Sequence, residues 1–298
     1  MLHSVGMSRP PVSVVTGANS GIGRATAIHL AEHGHVVFGT VRSTARAGKL
    51  LATAEERGTG VELVELDIGD DASVHDGFAE VLERAGHIDH LVNNAGIGGN
   101  GVVEETTPER LAEVFDVDVI GAVRCAQAVL PHMRERGSGT IVNVTSVAGR
   151  IGAIAQAPYV AAKWALEGLS EQLALEVAPF GIRVAIIEPG ITKSSIFGKN
   201  TDAPNDSGAY EEHYGRMLQM YAAGYIHASD AVEVGEVIRE AIETDTPKLR
   251  WPVSWGGVGI TQGRAAMSDE DWVAMGLIES REDYMAEFER RFSIDIST

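Results

Sequence analysis

The chain has 298 residues, of which 44% are hydrophobic and 22% are charged, and its formal net charge is −18. These proportions are typical of a globular protein with a sizeable core. The strong negative charge argues against a nucleic-acid partner and against an anionic membrane surface, because both attract positively charged proteins. No window reaches the ~20 apolar residues that a membrane-spanning helix needs, so we expect no membrane partner.

The N-terminus and the cysteine content bear on the compartment. The segment MLHSVGMSRPPVSVVTG has neither the basic stretch nor the apolar run of a secretory signal. The single cysteine, Cys125, excludes an internal disulfide and suits a reducing compartment. We therefore expect a cytoplasmic protein.

Short apolar, β-branched runs alternate with longer helical patterns along the first 190 residues. Continuous apolar runs are typical of strands in a parallel sheet that is covered on both faces. Six such βα repeats predict a doubly wound, three-layer α/β fold. The predicted strands are Val12–Thr16, His35–Val41, Val61–Asp67, Ile88–Asn94, Gly139–Ser146 and Ile182–Gly190. Helices are expected to begin near Ile22, Ala45, Ala72 and Pro108, and a further helix contains Tyr159.

The pattern is looser after residue 190. The stretch KSSIFGKNTDAPNDSGAY is rich in Ser, Asn, Asp and Gly, which predicts a long loop. A helix over Asp230–Glu243, a last strand within Lys248–Trp255 and two short helices in Ser268–Thr298 are predicted to follow. No low-complexity linker interrupts the first 190 residues, so we interpret residues 10–298 as a single domain.

Three glycines follow the first predicted strand, and an alanine-rich helix begins directly after them. Gly17 permits a tight turn, Gly21 lets the backbone approach a pyrophosphate, and Gly23 lets the helix pack close to the strand. The G-x-x-x-G-x-G spacing differs from G-x-G-x-x-G, but its position between the first strand and the first helix indicates a dinucleotide-binding loop. A nucleotide-triphosphate loop is excluded because no Gly-Lys-Ser/Thr follows.

A tyrosine and a lysine stand four residues apart in APYVAAKWALEGL. In a helix, Tyr159 and Lys163 would lie on one face. Ser146 ends the fifth predicted strand, and the NNAG stretch Asn93–Gly96 ends the fourth. Ligands of open α/β sheets bind outside the carboxyl ends of the strands, so these residues are expected to meet in one crevice.

These motifs, in this order, resemble those of the short-chain dehydrogenase/reductase family in its compact branch. The resemblance covers about residues 10–245 and rests on Thr16–Gly23, Leu66–Ile68, Asn93–Gly96, Ser146, Tyr159–Lys163 and Pro189–Gly190. It implies a Rossmann fold and an NAD(P)-dependent oxidoreductase that acts on a small-molecule secondary alcohol or ketone, as a homodimer or homotetramer. Residues 10–190 would form the cofactor-binding and catalytic core, and residues 191–298 a substrate-binding lid with a C-terminal extension.

The resemblance also implies residue roles. Tyr159 would be the acid/base, Ser146 would hold the substrate oxygen, and Lys163 would bind the nicotinamide ribose. A nearby ammonium and the positive nicotinamide favour the phenolate, which suits proton exchange at neutral pH. The expected cofactor-binding residues are Gly17, Asn19, Ser20, Gly21, Ile22, Gly23, Arg42, Asp67, Ile68, Asn93, Ala95, Gly96, Tyr159, Lys163, Pro189, Gly190 and Ile191.

The end of the second predicted strand bears on the choice of cofactor. A carboxylate there would bind the ribose of NAD, whereas a basic residue accommodates the 2′-phosphate of NADP. The stretch FGTVRST has Val41 at this position, with Arg42 directly after it. We therefore expect NADP to be preferred over NAD, with Arg42 as the phosphate partner.

One position departs from the family pattern. Many members have an asparagine in the helix after NNAG, and the aligned residue in FDVDVIGAV is Asp118. In those relatives the asparagine carbonyl holds a water that connects the catalytic lysine to solvent, and the side chain supports a local break in the helix. A buried carboxylate at Asp118 would form an ion pair with Lys163. We include Asp118 in the catalytic set; the alternative is that it faces solvent and has little effect.

Two other functions stay open at this stage. The first is a dinucleotide-binding sensor or scaffold without turnover, against which the intact Ser146, Tyr159 and Lys163 argue. The second is a sugar-nucleotide epimerase or dehydratase of the extended branch, which usually has a shorter TGxxGxxG loop and a larger C-terminal domain.

Further residues bear on metals and on the substrate. His29 and His33 would share a helical face, which could suggest a metal site. No H-E-x-x-H pattern accompanies them, so no metal is expected. The stretches around Asp118 and Tyr159 resemble relatives that act on steroids, retinoids and other apolar alcohols, which favours an apolar substrate. The residues Met217, Met220, Tyr221 and Tyr225 either line a substrate pocket or bury a lid helix.

Overall fold

The computed structural model describes residues 9–193 and 204–297, and its central element is a parallel sheet of seven strands. The strands are β1 (Val12–Val15), β2 (Val36–Val41), β3 (Glu62–Glu65), β4 (His90–Asn93), β5 (Gly139–Val144), β6 (Ile182–Pro189) and β7 (Arg250–Val253). Their spatial order is β3-β2-β1-β4-β5-β6-β7. The chain reverses direction along the sheet between β1 and β4, where open α/β sheets form their ligand crevice. The predicted doubly wound sheet, including its last strand, is confirmed.

Helices cover both faces of this sheet. They are α1 (Gly21–Glu32), α2 (Gly48–Glu56), α3 (Asp71–Ala85), α4 (Pro108–Phe115), α5 (Gly121–Arg136), α6 (Ala157–Val177), α7 (Glu211–His227), α8 (Ala231–Glu243), α9 (Gly257–Ala265), α10 (Asp269–Met275) and α11 (Arg281–Phe292). Helices α10 and α11 are the two short helices expected near the C-terminus. The helix expected near Ala45 begins instead at Gly48, after a 3₁₀ turn over Thr44–Arg46. Residues 194–203, which belong to the predicted long loop and lid, lie outside the described residues.

The long helix predicted from Pro108 is interrupted. Helix α4 ends at Phe115, the five residues Asp116–Ile120 form a π-helical turn, and α5 begins at Gly121. A π turn within an α-helix often occurs at a functional site. In this protein it turns Asp118 inward, where the residue is only 2% exposed.

Apolar side chains fill the space between the helices and the sheet. On one face, α8 places Val234, Ile238 and Ala241 against the sheet at helical spacing. Helix α8 also packs closely against α1 at Gly235. A Cβ on this glycine would lie only 3.3 Å from the Thr26 Cα. On the other face, large residues such as Phe78 fill the space under α3 and α5.

The C-terminal helices form a separate apolar cluster near the carboxyl ends of the strands. Phe288, Phe292 and Ile294 pack together with Ile260 of α9 and with Val147, which follows Ser146. The C-terminal extension therefore supports the wall of the crevice. Among the helices of residues 9–193 and 204–297, none has the length and apolar character needed to span a bilayer.

Candidate active site

A cleft of about 1040 Å³ opens at the carboxyl ends of the strands. Its walls come from the glycine loop, the ends of β2 to β6, the first turns of α6, and α7. Every expected cofactor-binding residue except Gly23 and Asn93 lines this cleft. Of the proposed catalytic residues, Ser146, Tyr159 and Lys163 line it directly.

Asn93, one of the expected cofactor residues, does not line the cleft. Its Nδ2 donates to the Asn143 Oδ1 at 2.9 Å and to the Ala122 carbonyl at 3.3 Å, so the side chain is buried between β4, β5 and α5. Successive side chains of a strand point to opposite faces, and the last residue of β4 points away from the cleft. Asn94, Ala95 and Gly96 line the cleft instead.

The glycine loop has the geometry of a diphosphate cradle. Gly17 and Gly21 have φ angles of +67° and +54°, in the left-handed region. A Cβ on Gly17 would lie 2.9 Å from the Ala95 Cα, and one on Gly23 would lie 2.5 Å from the Gly17 carbonyl oxygen. Any larger residue at either position would therefore clash with the backbone.

The start of α1 is prepared for an anion. Ser20 is its N-cap residue but makes no side-chain capping bond, so the first-turn amides are left available to a ligand. The Asn19 Oδ1 is buried in the protein without a hydrogen-bond partner among the described residues. A helix start without a side-chain cap beside two left-handed glycines fits a nucleotide diphosphate, whereas the Asn19 Oδ1, as an acceptor, suits a hydroxyl or amino group of the same ligand.

Two arginines lie at the end of β2. Arg42 and Arg46 are both exposed and both line the cleft. Arg42 is the residue expected here from the sequence. Arg46 was not expected, and it reaches the cleft from the 3₁₀ turn over Thr44–Arg46. Asp67 and Ile68, at the end of β3, line the same part of the cleft.

Ser146 ends the extended segment that follows β5 and begins a 3₁₀ turn. Its Oγ accepts a hydrogen bond from the Ala148 amide at 3.1 Å and donates to the Pro189 carbonyl at 3.4 Å. The second bond is long, so the hydroxyl proton can be redirected to a ligand oxygen at little cost.

Tyr159 and Lys163 occupy the first two turns of α6, as the spacing predicts. The Lys163 Nζ lies 5.4 Å from the centre of the Tyr159 ring and 3.4 Å from the Val144 carbonyl oxygen. This ammonium is therefore directly beside the phenol that faces the cleft.

Asp118 lies next to Lys163 and not in solvent, so the solvent-facing alternative is wrong. The Asp118 Oδ2 lies 3.0 Å from the Lys163 Nζ, with side-chain exposures of 0% and 6%. The Asp118 Oδ1 accepts the Ile97 amide at 2.7 Å. Burial acts to lower the pKa of Lys163, but Asp118 and Tyr159 outweigh it, so this pKa is raised above its ordinary value.

The part of the cleft next to α7 is lined mostly by apolar side chains. Met220 and Tyr221 of α7 line it together with Ile151, Ala153 and Ile260. The Tyr221 hydroxyl donates to the Asn100 Oδ1 at 2.7 Å, and burial raises the pKa of Tyr221.

The sequence left open whether four residues of α7 line a pocket or bury the helix. Met220 and Tyr221 line the cleft, Met217 is buried in a cluster with Tyr214, and Tyr225 is 89% exposed. Both earlier interpretations of this helix therefore apply, each to different residues.

Histidines near the start of the sheet are engaged in protein contacts. His29 and His33 have ring centres 4.3 Å apart, and the Arg239 Nε donates to the His29 Nε2. No group of three His, Cys, Asp or Glu residues with the geometry of a metal site occurs in the described part of the chain.

Comparisons with known proteins agree with this geometry. A family model described as short chain dehydrogenase matches residues 11–205. A 3-ketodihydrosphingosine reductase from Bacteroides thetaiotaomicron is 35% identical over 82% of this chain and 88% of its own length. The human 17-beta-hydroxysteroid dehydrogenase type 1 is 34% identical over 80% of this chain and 76% of its own length.

Solved structures show the same fold. A short-chain dehydrogenase from Streptomyces avermitilis is 38% identical, covers 91% of this chain and 99% of its own, and superposes with a TM-score of 0.75. An alcohol dehydrogenase from Thermococcus sibiricus, solved with 5-hydroxy-NADP, is 26% identical with a TM-score of 0.68, covering 83% of this chain and 97% of its own. An NAD⁺-bound xylitol dehydrogenase is 28% identical with a TM-score of 0.71, covering 82% of this chain and 97% of its own.

Proposed function

The chain belongs to the short-chain dehydrogenase/reductase family and is an NAD(P)-dependent oxidoreductase acting on CH–OH groups, and we propose that it interconverts an apolar secondary alcohol and its ketone. The main support for this proposal is that Ser146 and Tyr159 line the same cleft as the apolar residues Ile151, Met220 and Ile260. An apolar wall favours a substrate with little polarity beyond the reacting oxygen. The two relatives named for a hydroxysteroid and for 3-ketodihydrosphingosine support this substrate class.

The reaction needs a proton carrier and an oxygen-binding group in addition to the cofactor. When bound, the nicotinamide cofactor supplies or accepts the hydride. Ser146 donates a hydrogen bond to the substrate oxygen and orients it. Tyr159 gives its hydroxyl proton to that oxygen during reduction and takes a proton from it during oxidation. Lys163 stabilises the resulting phenolate and binds the nicotinamide ribose.

The preferred cofactor in this proposal is NADP. Arg42 and Arg46 both line the part of the cleft next to β2, where the 2′-phosphate would lie. An arginine can form two parallel bonds to a phosphate, and two arginines form a stronger site than one. Asp67 and Ile68 would contact the adenine.

Asp118 acts as a positioning residue in this scheme. It holds Lys163 through an ion pair, at a distance of 3.0 Å, and it is itself held by the Ile97 amide. The negative charge keeps Lys163 protonated but reduces the net positive field at Tyr159. The main-chain carbonyl of Asp118 is the group that would hold the relay water.

The remaining assignments concern the whole molecule. We propose that residues 10–298 act as one domain in which residues 191–298 contribute the substrate-binding part, and that the protein is cytoplasmic. Assembly as a homodimer or homotetramer would cover exposed apolar side chains on and beside α4 to α6. These are Leu111, Ile120, Trp164, Leu169, Leu175 and Phe180.

A panel of ketones and alcohols assayed with NADPH, NADH, NADP⁺ and NAD⁺ at the nicotinamide absorbance tests this function. Turnover should increase with the apolar area of the substrate, as expected for a cleft walled by Met220 and Ile260. Cofactor binding without turnover on any substrate would favour the sensor alternative. A preference for small polyols would contradict the apolar substrate class.

A further inference from the structure

Two buried carboxylates lie next to the catalytic residues and have no part in the proposed chemistry. Glu167 follows Lys163 by one turn of α6, and Glu188 directly precedes Pro189 at the end of β6. They are 4% and 1% exposed, respectively. Burying a carboxylate costs a large desolvation energy that only well-placed partners compensate. The partners of these two groups therefore indicate what they do.

Glu167 connects the catalytic helix to the segment that contains Ser146. The hydroxyl of Thr145, the neighbour of Ser146, lies 2.7 Å from the Glu167 Oε1 and 2.9 Å from the Ile187 carbonyl oxygen, and its single proton goes to the ionised carboxylate, the stronger acceptor. The Nε of Arg250, in β7, donates to the Glu167 Oε2 at 3.0 Å. Both carboxylate oxygens are thus fixed, one by the catalytic loop and one by the last strand.

Glu188 connects the other side of the same loop. The Nη1 of Arg150, which follows the 3₁₀ turn begun by Ser146, donates to the Glu188 Oε1 at 2.9 Å. The Arg250 Nε lies 3.5 Å from the same oxygen. Arg250 therefore links both buried carboxylates.

These groups form one carboxylate cluster, which joins the loop after β5 to α6, β6 and β7. Its members are Thr145, Arg150, Glu167, Glu188 and Arg250. The two buried carboxylates are each paired with a partly exposed guanidinium group. Every segment that contributes Ser146, Tyr159, Lys163 or Pro189 to the cleft is attached to this cluster.

The electrostatic surroundings of Glu167 include Lys163 on its own helix. The pKa of Glu167 is raised above its ordinary value, mainly by burial and also by Glu188, while the bonds from Thr145 and Arg250 oppose the rise and favour the ionised form. Burial lowers the pKa of Lys163, and Asp118, Tyr159 and then Glu167 raise it. Glu171, one turn further along α6, also binds Arg250 at 2.5 Å, but its side chain is 53% exposed.

We propose that Glu167 is a positioning residue for the oxidoreductase reaction: it fixes Ser146 relative to Tyr159 through Thr145 and supports the Lys163 ammonium by its charge. This inference rests on the proposed function. Well-packed apolar side chains would hold the same elements together without the desolvation cost. They would supply neither a directional bond to the Ser146 segment nor a negative charge one turn from Lys163.

The test compares Glu167→Gln with Glu171→Gln in the full-length protein. Gln keeps the volume and an oxygen that accepts the Thr145 bond, but it removes the charge and places an NH2 group where the second oxygen accepts from Arg250. In Glu167→Gln, kcat should fall by about tenfold while both KM values stay within about twofold, because loss of the Arg250 bond changes the alignment of the reacting groups and loss of the charge changes the field at Lys163. The rising limb of the pH profile for alcohol oxidation should move to lower pH, because a negative charge near the proton carrier is lost. Glu171→Gln should match the wild type.

A second variant separates the bond from the charge. Thr145→Val removes the hydroxyl with little change in shape, so it should lower kcat about as much as Glu167→Gln, and it should move the pH limb less than Glu167→Gln because the Glu167 carboxyl is retained. Wild-type kcat in Thr145→Val would overturn the positioning role of the hydroxyl bond.

Several results would overturn the inference. One is a Glu167→Gln enzyme with the kcat and pH profile of the wild type. Another is a loss of activity that only follows the loss of folded protein, with the pH limb unmoved. An inactive wild type would overturn the proposed function and the inference together, whereas an active wild type matched by Glu167→Gln would overturn the inference alone.

Discussion

The two edges of the sheet both bury a basic side chain, but the two side chains differ in their favoured charge state. At the carboxyl edge, Lys163 is buried next to Asp118, and its pKa is raised in spite of burial. At the amino edge, His35 and His90 have ring centres 5.6 Å apart, and burial is the main cause of their lowered pKa values. A carboxylate in direct contact therefore preserves the charge of Lys163, whereas burial favours the neutral form of His90.

The largest expected effect concerns the proton carrier at the carboxyl edge. Tyr159→Phe removes the only proposed proton carrier but keeps the packing of the ring. Activity should fall at least ~10²-fold, the usual range for loss of a general acid/base, with cofactor affinity nearly unchanged. Steady-state turnover and cofactor titration measure the two quantities. Near wild-type turnover in this variant would eliminate the proposed mechanism.

The second prediction concerns acid stability and the amino edge. Burial lowers the pKa of His90 to about 4 from its ordinary value of 6.5. Between these pH values the unfolded chain binds the proton and the folded chain does not. The stabilisation from neutral His90 is therefore complete above pH 6.5 and is lost as the pH falls towards 4, by at most about 3 kcal/mol.

Denaturant unfolding at several pH values measures this loss. His90→Gln should flatten the dependence of the unfolding free energy on pH over that range. His75→Gln is the control, because the His75 side chain is 82% exposed on α3. A variant at His90 with the slope of the wild type would show that charge is tolerated at the amino edge, and the contrast between the edges would fail.

A smaller effect is expected for the cofactor phosphate. Arg42→Ala should weaken NADP binding about tenfold or more and leave NAD binding unchanged, because only NADP has the 2′-phosphate. Fluorescence titration with both cofactors measures the difference. Arg57→Ala is a matched control, since Arg57 is exposed near Glu32 and does not line the cleft. Tighter binding of NAD by the wild type would contradict the assignment.

The smallest effect is expected for the buried ion pair. Asp118→Asn keeps the shape of the side chain but removes the charge beside Lys163, which then favours the Tyr159 phenolate more strongly. The alkaline optimum for alcohol oxidation should therefore lie about one pH unit lower in the variant than in the wild type. Asp116→Asn, on the same π turn but with a 41% exposed side chain, provides the control. Superimposable profiles of wild type and Asp118→Asn would show that the charge at Asp118 is immaterial to the reaction.

Sequence alone was most informative where a function depends on neighbouring residues. The glycine loop was predicted because Gly17, Gly21 and Gly23 stand between the first predicted strand and the first predicted helix. The pairing of Tyr159 with Lys163 follows from helical spacing. The ion pair with Asp118 needed the family resemblance, because two separate elements have to meet.

Features that depend on tertiary placement were missed or misplaced. The NNAG motif does not show to which face of β4 the Asn93 side chain points, and Asn93 was therefore assigned to the cleft. Arg46 approaches the cleft only through the 3₁₀ turn after β2. Helix α9 was missed because its sequence, GVGITQGRA, has a poor helix propensity. Its glycines allow close packing instead, since a Cβ on Gly259 would lie 2.2 Å from the Phe292 carbonyl oxygen.

The π-helical turn at Asp116–Ile120 contains about one residue more than an α-helical turn, so the chain can lose that residue without a change in the rotational phase of α5. Deleting one residue here would leave an ordinary α-helical turn, and the buried stripe Cys125, Val129 and Met133 would still face the sheet. Asp118 would move away from Lys163. A change of length in this one turn can therefore remove the charge beside the catalytic lysine while the core of the fold is kept.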